Sequence, residues 1–283
     1  MSDADFEIPF DRLPGRFAET VSHPPEIPVT PRPAATVVLL RDAGDGMEVL
    51  LMRRNRSAGF VPGAYVFPGG RVDGTDATPD AVARLDGLTA ESAADRLGLH
   101  DAVPPALAYY LAALREAFEE TGIVVGTRHD GSAPPTATQD PAVDALRDAL
   151  MQDEISFAEA LARMDCRIAG DAVEYIAHWI TPTLEPRRYD TRFFAAKVPA
   201  EATPMVDARE MSAAMWLGPA DALRRCDRGD LPMVFPTIKT LERLAGYGSP
   251  DAALRGFGAA PVPTILPTLV VTPTGIGLRL DDE

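Results

Sequence analysis

Apolar positions near the start of the chain fall in two short runs of aliphatic and β-branched residues, Ala35-Thr36-Val37-Val38-Leu39-Leu40 and Met47-Glu48-Val49-Leu50-Leu51-Met52. A polar, glycine-bearing stretch, Asp42-Ala43-Gly44-Asp45-Gly46, separates them, and the pattern predicts a β-hairpin. Ala64-Tyr65-Val66-Phe67 predicts a further strand that stops at Pro68-Gly69-Gly70. Over 104–121 the period changes. Leu107, Leu111, Leu114 and Phe118 recur at i, i+4, i+7 and i+11, one face of a helix. Gly122 suits the position just past its end, and Ile123-Val124-Val125 predicts the start of another strand.

Around this centre the pattern is less regular. Residues 71–103 are polar and Ala-rich, with turn signals at Asp73-Gly74 and Pro79, and read as an insertion holding short helices. A second insertion, 127–165, combines a Pro/Thr-rich loop with helices expected at 141–151 and 156–164. Strands are expected at 173–181, 192–198 and 213–217, then helices at 219–224 and 235–245, and final strands at 269–272 and 276–280. Prolines 9, 14, 24, 25, 28, 31 and 33 make 1–33 an extended arm against the body. The expected organisation is an N-terminal arm (1–33), a main domain (34–250) and a C-terminal extension (251–283). Strands mixed with helices, without regular βαβ alternation, point to the α+β class as an α/β/α sandwich on a mixed sheet.

Composition narrows the function classes. The chain has 283 residues, 46% of them hydrophobic, enough for one large domain with insertions or two small ones. Its formal net charge of -15 opposes broad attraction to nucleic acid or anionic membranes, and neither is an expected partner. A phosphorylated small molecule remains compatible, because a divalent cation inverts the field of an acidic site. No apolar run approaches the roughly 20 residues of a membrane span, and the acidic start Met1-Ser2-Asp3-Ala4-Asp5 does not resemble a secretory signal. Cys166 and Cys226 lack metal-site spacing and read as ordinary buried or semi-buried thiols.

The chemistry concentrates on the predicted helix. With Leu107 at 0°, Leu111, Leu114 and Phe118 lie within about 40° of zero, while Glu116, Glu119 and Glu120 lie near ~180°, ~120° and ~220°. The three carboxylates share the face opposite the core, and Ala108, Ala112 and Ala113 beside them leave room for metal and ligand. Arg115, four residues before Glu119, can hold that carboxylate in place. Such a face of Glu and Arg is, taken alone, also what a solvated surface looks like. As a site, clustered carboxylates offer hard oxygen ligands to Mg2+ or Mn2+, and a carboxylate not used as a ligand can act as general base.

Arg115-Glu116-Ala117-Phe118-Glu119-Glu120-Thr121-Gly122-Ile123 resembles the second half of the Nudix box, G-x5-E-x7-R-E-U-x-E-E-x-G-U with U aliphatic, and Phe67-Pro68-Gly69-Gly70 resembles its lead-in. The resemblance implies a Nudix fold with inserted helices, metal ligation by Glu116, Glu119 and Glu120, and a structural role for Arg115. Gly70 stands 45 positions before Arg115, about 31 more than that pattern sets. Asp73 or Asp76 takes the place of the first glutamate. An insertion at this point, with His178-Trp179-Ile180-Thr181-Pro182 and Arg188-Tyr189-Asp190-Thr191-Arg192-Phe193-Phe194, is similar to the Nudix branch that includes the peroxisomal coenzyme A diphosphatase. Glu210, six residues before Trp216, matches a family glutamate that contributes a ligand or base.

Other residues are open to two readings. Arg187 and Arg188 either bind phosphate bidentately or pair locally with a nearby aspartate. Trp179, Phe193, Phe194 and Trp216 read as packing before they read as substrate stackers, and His178 as a satisfied core histidine. Arg53, Arg54 and Arg56 precede the glycine turn and can reach phosphate. Leu50, Leu51, Arg54, Gly63 and Phe67-Pro68-Gly69-Gly70 fit a coenzyme A signature, LLTxR[SA]x3Rx3Gx3FPGG, from which Asn55 and Gly59 depart. The expected substrate-binding set is therefore Arg54, Gly69, Gly70, Arg187 and Arg188. The resemblance implies metal-dependent hydrolysis of a nucleotide diphosphate, coenzyme A or acyl-coenzyme A first, with ADP-ribose, NADH or other nucleoside diphosphate derivatives, or a non-hydrolysing nucleotide-binding module, as alternatives. It also implies a small-molecule nucleotide partner and a homodimer. The ending Leu280-Asp281-Asp282-Glu283 differs from a Ser-Lys-Leu address, so the cytoplasm is the expected location.

Overall fold

The computed structural model describes residues 6–9, 27–44, 46–55, 62–206, 209 and 211–280. Strand β1 (Phe6–Pro9) precedes β2 (Arg32–Ala43) and β3 (Gly46–Arg54), which form the expected hairpin. The hairpin pairs only near its turn, from Leu40↔Val49 to Ala43↔Gly46. Beyond that point its arms part. Two short strands, β4 (Tyr65–Val66) on β3 and β5 (Gly69–Arg71) on β2, fill the gap, and the Val37 N–H bonds the Pro68 carbonyl at 2.9 Å. The glycines expected to end a strand are thus themselves paired.

The first insertion folds as a 3₁₀ turn (Gly74–Ala77), α1 (Pro79–Val82), β6 (Leu85–Asp86) and α2 (Ala90–Leu97). The carboxylate helix follows as α3 (Ala106–Thr121), closed by Gly122 at φ 66°, the left-handed conformation that glycine adopts without strain. Ile123 and Val124 are buried as their apolar character requires, yet they form no strand. The Ile123 N–H is taken by the Thr121 hydroxyl and the Gly122 carbonyl by the Ala137 N–H, so this backbone is satisfied outside any sheet. The next strand, β7, spans only Thr127–Arg128.

The second insertion contains the two expected helices, α4 (Pro141–Met151) and α5 (Phe157–Arg163), and an unforeseen strand, β8 (Cys166–Ala169), which joins β6 and β7 in a small sheet. Then come β9 (Glu174–Ile180), β10 (Tyr189–Lys197), β11 (Met211–Leu217), α6 (Pro219–Asp227) and α7 (Phe235–Leu244). Helix α8 (Pro250–Gly258), capped by the Ser249 side chain, was not evident from the pattern. Strands β12 (Thr264–Ile265), β13 (Thr268–Val271) and β14 (Gly275–Arg279) end the described chain.

The main sheet runs β11-β3-β2-β10-β9-β12, with β4 and β5 attached. It is mixed, because β10 lies parallel to β2 and antiparallel to β9. Alternation along β2 divides the core. Val37 and Leu39 face α3 in one apolar cluster, while Val38 and Leu40 face Phe235 and Leu241 of α7 in the other. Helix layers on both faces make the expected α/β/α sandwich. Helix α3 is buried on nearly every side, with Tyr110 against Phe194 at a ring separation of 4.4 Å. Ala108, Ala112 and Ala113 are fully buried, so they give the helix close packing rather than space for a ligand, which corrects the wheel-based expectation. A separate terminal sheet, β1-β14-β13, brings the two ends of the chain together in the register Phe6↔Leu278.

Candidate functional site

The site begins where α3 crosses β5. Gly69 and Gly70 pair with Thr36 and Ala35 of β2. A Cβ on Gly70 would overlap the Glu116 carboxylate, and one on Gly69 would lie 2.5 Å from the Ala35 carbonyl oxygen. Only glycine lets the acidic face of the helix rest on this backbone. The Gly69 N–H then donates to Glu120 Oε2 at 3.1 Å.

Arg115 organises the remaining carboxylates. Its guanidinium, 7% exposed, donates through Nε to Asp76 Oδ1 at 2.7 Å and through Nη2 to Asp76 Oδ2 at 3.1 Å. Nη1 reaches Glu116 Oε1 at 3.0 Å and both Glu119 oxygens at 3.2 Å, and Nη2 also reaches the Arg71 carbonyl at 3.0 Å. The expected Arg115–Glu119 pair is present within this larger network. Of the two aspartates left open by the sequence, Asp76 is the partner. It is 3% exposed, whereas Asp73 is largely solvated and 3.8 Å from the guanidinium. Spacing held the signal, because Asp76 follows Gly70 by the same interval as the first glutamate of the Nudix pattern.

Burial and crowding set the electrostatics. Burial pushes Glu116 up to about 7; Arg115 opposes the rise and neighbouring Glu119 adds to it. Glu119 is raised by burial as well, against the pull of Arg115. Arg115 is held firmly protonated despite its burial by the Asp76 hydrogen bonds and the charges of Glu116 and Glu119. Among the described residues, no three His, Cys, Asp or Glu side chains already close around one point. Glu116 and Glu119 turn toward Arg115, and Glu120 toward Gly69. The donor set still suits Mg2+ or Mn2+. The three carboxylates line one cavity, the raised proton affinities of Glu116 and Glu119 mark a need for positive charge, and Mg2+ commonly takes one or two carboxylates together with substrate phosphates and water.

The cavity holds about 1110 Å³. Its polar end carries the three glutamates with Arg54 of β3, whose buried Nε has no partner among the described residues; its other end is lined by Trp179, Phe193, Phe235 and Leu278. Arg54, Gly69, Gly70 and Arg115 therefore meet at one site with the glutamates. Arg187 and Arg188 do not line it. Arg188 is buried and donates to the backbone carbonyls of Thr181 and Val29 at 3.0 and 2.8 Å, and Arg187 is exposed elsewhere. Proximity to an aspartate in sequence could not reveal those carbonyl partners. Glu210 and Arg56 lie outside the described residues. His178 is a satisfied core histidine, bonded to Thr264 Oγ1 at 2.8 Å and Asp190 Oδ1 at 2.6 Å. Trp179 and Phe193 are buried as expected for packing, yet they also form cavity wall.

Two residues beside the site had no visible sequence signal. Buried Arg147 of α4 donates through Nε to the Glu119 carbonyl at 2.7 Å, satisfying an acceptor in the last turn of α3 from 28 residues away. Glu185 lines the cavity, and burial alone pushes it up to about 7.

Replacing Asp76 by Asn leaves the buried guanidinium short of one anionic partner. The expected loss is about 2–4 kcal/mol in denaturant unfolding, accompanied by weaker divalent-metal binding in titration calorimetry. Glu185 gives a pH prediction. Its proton is released near the ordinary carboxylate value in the unfolded chain but near about 7 in the folded one, so its contribution to stability is complete at low pH and is lost as pH rises through that interval. Glu185→Gln should melt at a higher temperature than the parent at pH 8 and at the same temperature at pH 4. A gain of equal size at both values contradicts the assignment.

The comparisons agree with this geometry. A family model described as the NUDT19 Nudix domain matches residues 30–244. The chain is 28% identical over 237 residues to the human protein named acyl-coenzyme A diphosphatase NUDT19, covering 72% of this chain and 62% of that protein. It is 25% identical over 228 residues to the Xenopus laevis protein of the same name, covering 71% and 60%. The chain thus spans about three fifths of the length of these relatives. The crystal structure of a Nudix hydrolase from Alicyclobacillus acidocaldarius aligns over 82% of this chain and 99% of its own, at 28% identity and a TM-score of 0.68. No helix among the described residues is long and apolar enough to cross a membrane. With the family model spanning both the Gly69–Gly70 strand and the Arg115-centred carboxylate helix, the chain belongs to the Nudix hydrolase family, in the group defined by the NUDT19 Nudix domain.

Proposed function

We propose that this protein hydrolyses the diphosphate of coenzyme A or an acyl-coenzyme A, giving a 4′-phosphopantetheine-type product and adenosine 3′,5′-bisphosphate. The observation that carries the proposal is the Arg115-ordered set of carboxylates at the polar end of a cavity whose other end is aromatic and aliphatic. The first end suits a diphosphate and the second an apolar tail. The names of the two NUDT19 relatives support the same substrate class.

In this reading Glu116, Glu119 and Glu120 hold Mg2+ or Mn2+. When bound there, the cation would supply Lewis acidity and neutralise charge beside the diphosphate. A carboxylate oxygen not engaged as a ligand accepts the water proton, and Glu210 joins the set as a further ligand or base. Water oxygen bonds to phosphorus as the bridging P–O bond breaks, and the departing phosphate takes the electron pair. Arg54 presents guanidinium donors to the phosphates, where a planar fork matches paired oxygens. Arg115 acts by position, keeping two glutamates in fixed rotamers so that little rearrangement accompanies the reaction.

With Mg2+ present, turnover should be highest for coenzyme A and acyl-coenzyme A in a panel that also holds ADP-ribose, NADH and dinucleoside polyphosphates. Faster turnover of another member moves the substrate assignment and leaves the reaction class in place. Glu119→Gln should lower kcat by roughly 10²–10⁴-fold while the folded state is retained, because it removes charge stabilisation or proton transfer in the transition state. Parent-like kcat for this variant removes Glu119 from the metal site.

A further inference from the structure

Glu185 stands in the connection between β9 and β10 and lines the large cavity. The loop that carries it is tied at its neck. The Thr181 N–H donates to the Tyr189 carbonyl at 2.9 Å and the Tyr189 N–H to the Thr181 hydroxyl at 3.0 Å, while the Arg188 side chain bonds the Thr181 carbonyl. Within the loop the Glu185 N–H donates to the Pro182 carbonyl at 3.1 Å. The backbone beneath the carboxyl is therefore held against the cavity.

The carboxyl itself stands apart. Among the described residues it forms no ion pair and accepts no hydrogen bond, and burial is the one cause of its raised proton affinity. Other charged or titratable groups share the cavity: Glu7 on β1, Arg54 on β3, Arg71 on β5, Asp73, Asp153, Tyr189 on β10, Arg209, and Arg115 with its glutamates. None of them pairs with Glu185. Carboxylates removed from water ordinarily find a cation or several donors. A carboxyl that the packing of the chain leaves unused acts instead on whatever enters the cavity. Like charges that share a space poor in water repel more strongly than in bulk solvent, so ionised Glu185 opposes a polyanion and the neutral acid does not.

We propose that Glu185 sets the charge selectivity of the cavity, admitting a doubly negative organic diphosphate while its carboxyl is protonated and opposing it once the carboxyl is ionised. The proposal rests on the diphosphatase reading above and deepens it, because it makes substrate affinity depend on a residue outside the carboxylate helix. The sign follows from linkage. A bound anion favours the protonated acid, so binding near neutral pH draws a proton from solution, and affinity falls as pH rises. Glu116 and Glu119 add a pH dependence of their own, which is common to the parent and every Glu185 variant.

The test measures ADP-ribose binding to the full chain by titration calorimetry, with EDTA present to hold off turnover; this ligand has no phosphate that titrates between pH 5.5 and 8.5. Glu185→Gln removes the ionisation and keeps the size of the side chain. It should match the parent at pH 5.5 and bind roughly tenfold tighter than the parent at pH 8.5. Glu185→Asp retains the carboxyl and should follow the parent at both values. At pH 7, titrations in two buffers of different ionisation enthalpy should show proton uptake by the parent and less by Glu185→Gln, a readout that a merely structural role does not move. The proposal is overturned if Glu185→Gln binds no tighter than the parent at pH 8.5, if it gains equally at pH 5.5, if Glu185→Asp behaves as Glu185→Gln does, if proton uptake is unchanged, or if the parent does not bind ADP-ribose at pH 5.5. Failure of the diphosphatase reading has a separate signature: the pH-dependent difference between parent and Glu185→Gln appears as expected, while neither coenzyme A nor ADP-ribose is hydrolysed with Mg2+.

Discussion

The site depends on one buried guanidinium. Arg115 sits where Asp76, Glu116 and Glu119 would otherwise face one another across a space with little water, and it donates to all three. Like charges at that separation repel strongly when solvent is scarce, and an unpaired guanidinium there would be equally unfavourable. Each member is tolerable because the others are present. The balance is incomplete by design of the cluster: several carboxylates surround one cation, and Glu116 and Glu119 keep raised proton affinities. That remaining demand for positive charge makes the cavity wall suited to divalent metal.

The two insertions are parts of this arrangement. The first turns back at Gly74–Ala77 to deliver Asp76 against Arg115, with the Asp73 N–H donating to Asp76 Oδ2 at 2.8 Å to fix the carboxylate. The second sends Arg147 to the Glu119 carbonyl in the last turn of α3. Helix ends leave carbonyls without intrahelical partners, and a buried arginine from outside is one way to satisfy them. One insertion thus holds the side chains of the helix and the other holds its backbone.

The opening of the β2–β3 hairpin explains how a sheet accommodates the site. Because its arms separate beyond Leu40↔Val49, β4 and β5 can enter and place the Gly69 and Gly70 backbone beneath the glutamates. The cavity extends from this point to Phe193 and Trp179 on β10 and β9 and is bounded by the terminal sheet. The lining combines charged and apolar side chains, so an amphipathic ligand can satisfy both.

Local periodicity made much of the architecture legible in the sequence. The hairpin, the strands β9 to β11, the helices of the second insertion and the carboxylate helix with its Gly122 cap all follow from alternation, 3.6-residue spacing and the conformational freedom of glycine, which are properties of neighbouring residues. The order Arg-Glu-x-x-Glu-Glu after a Phe-Pro-Gly-Gly turn was enough to indicate the family. Tertiary structure decided the matters that depend on partners distant along the chain. It buried the alanines of α3 instead of opening them to ligand, satisfied Ile123 and its neighbours outside a sheet, chose Asp76 over Asp73, and tied Arg188 to the Val29 and Thr181 carbonyls rather than to the cavity. It also placed Trp179 in core and cavity wall at once. A side chain's type and spacing determine what it can bond to, but which partner it meets, and with how much water nearby, is determined only when the segments come together.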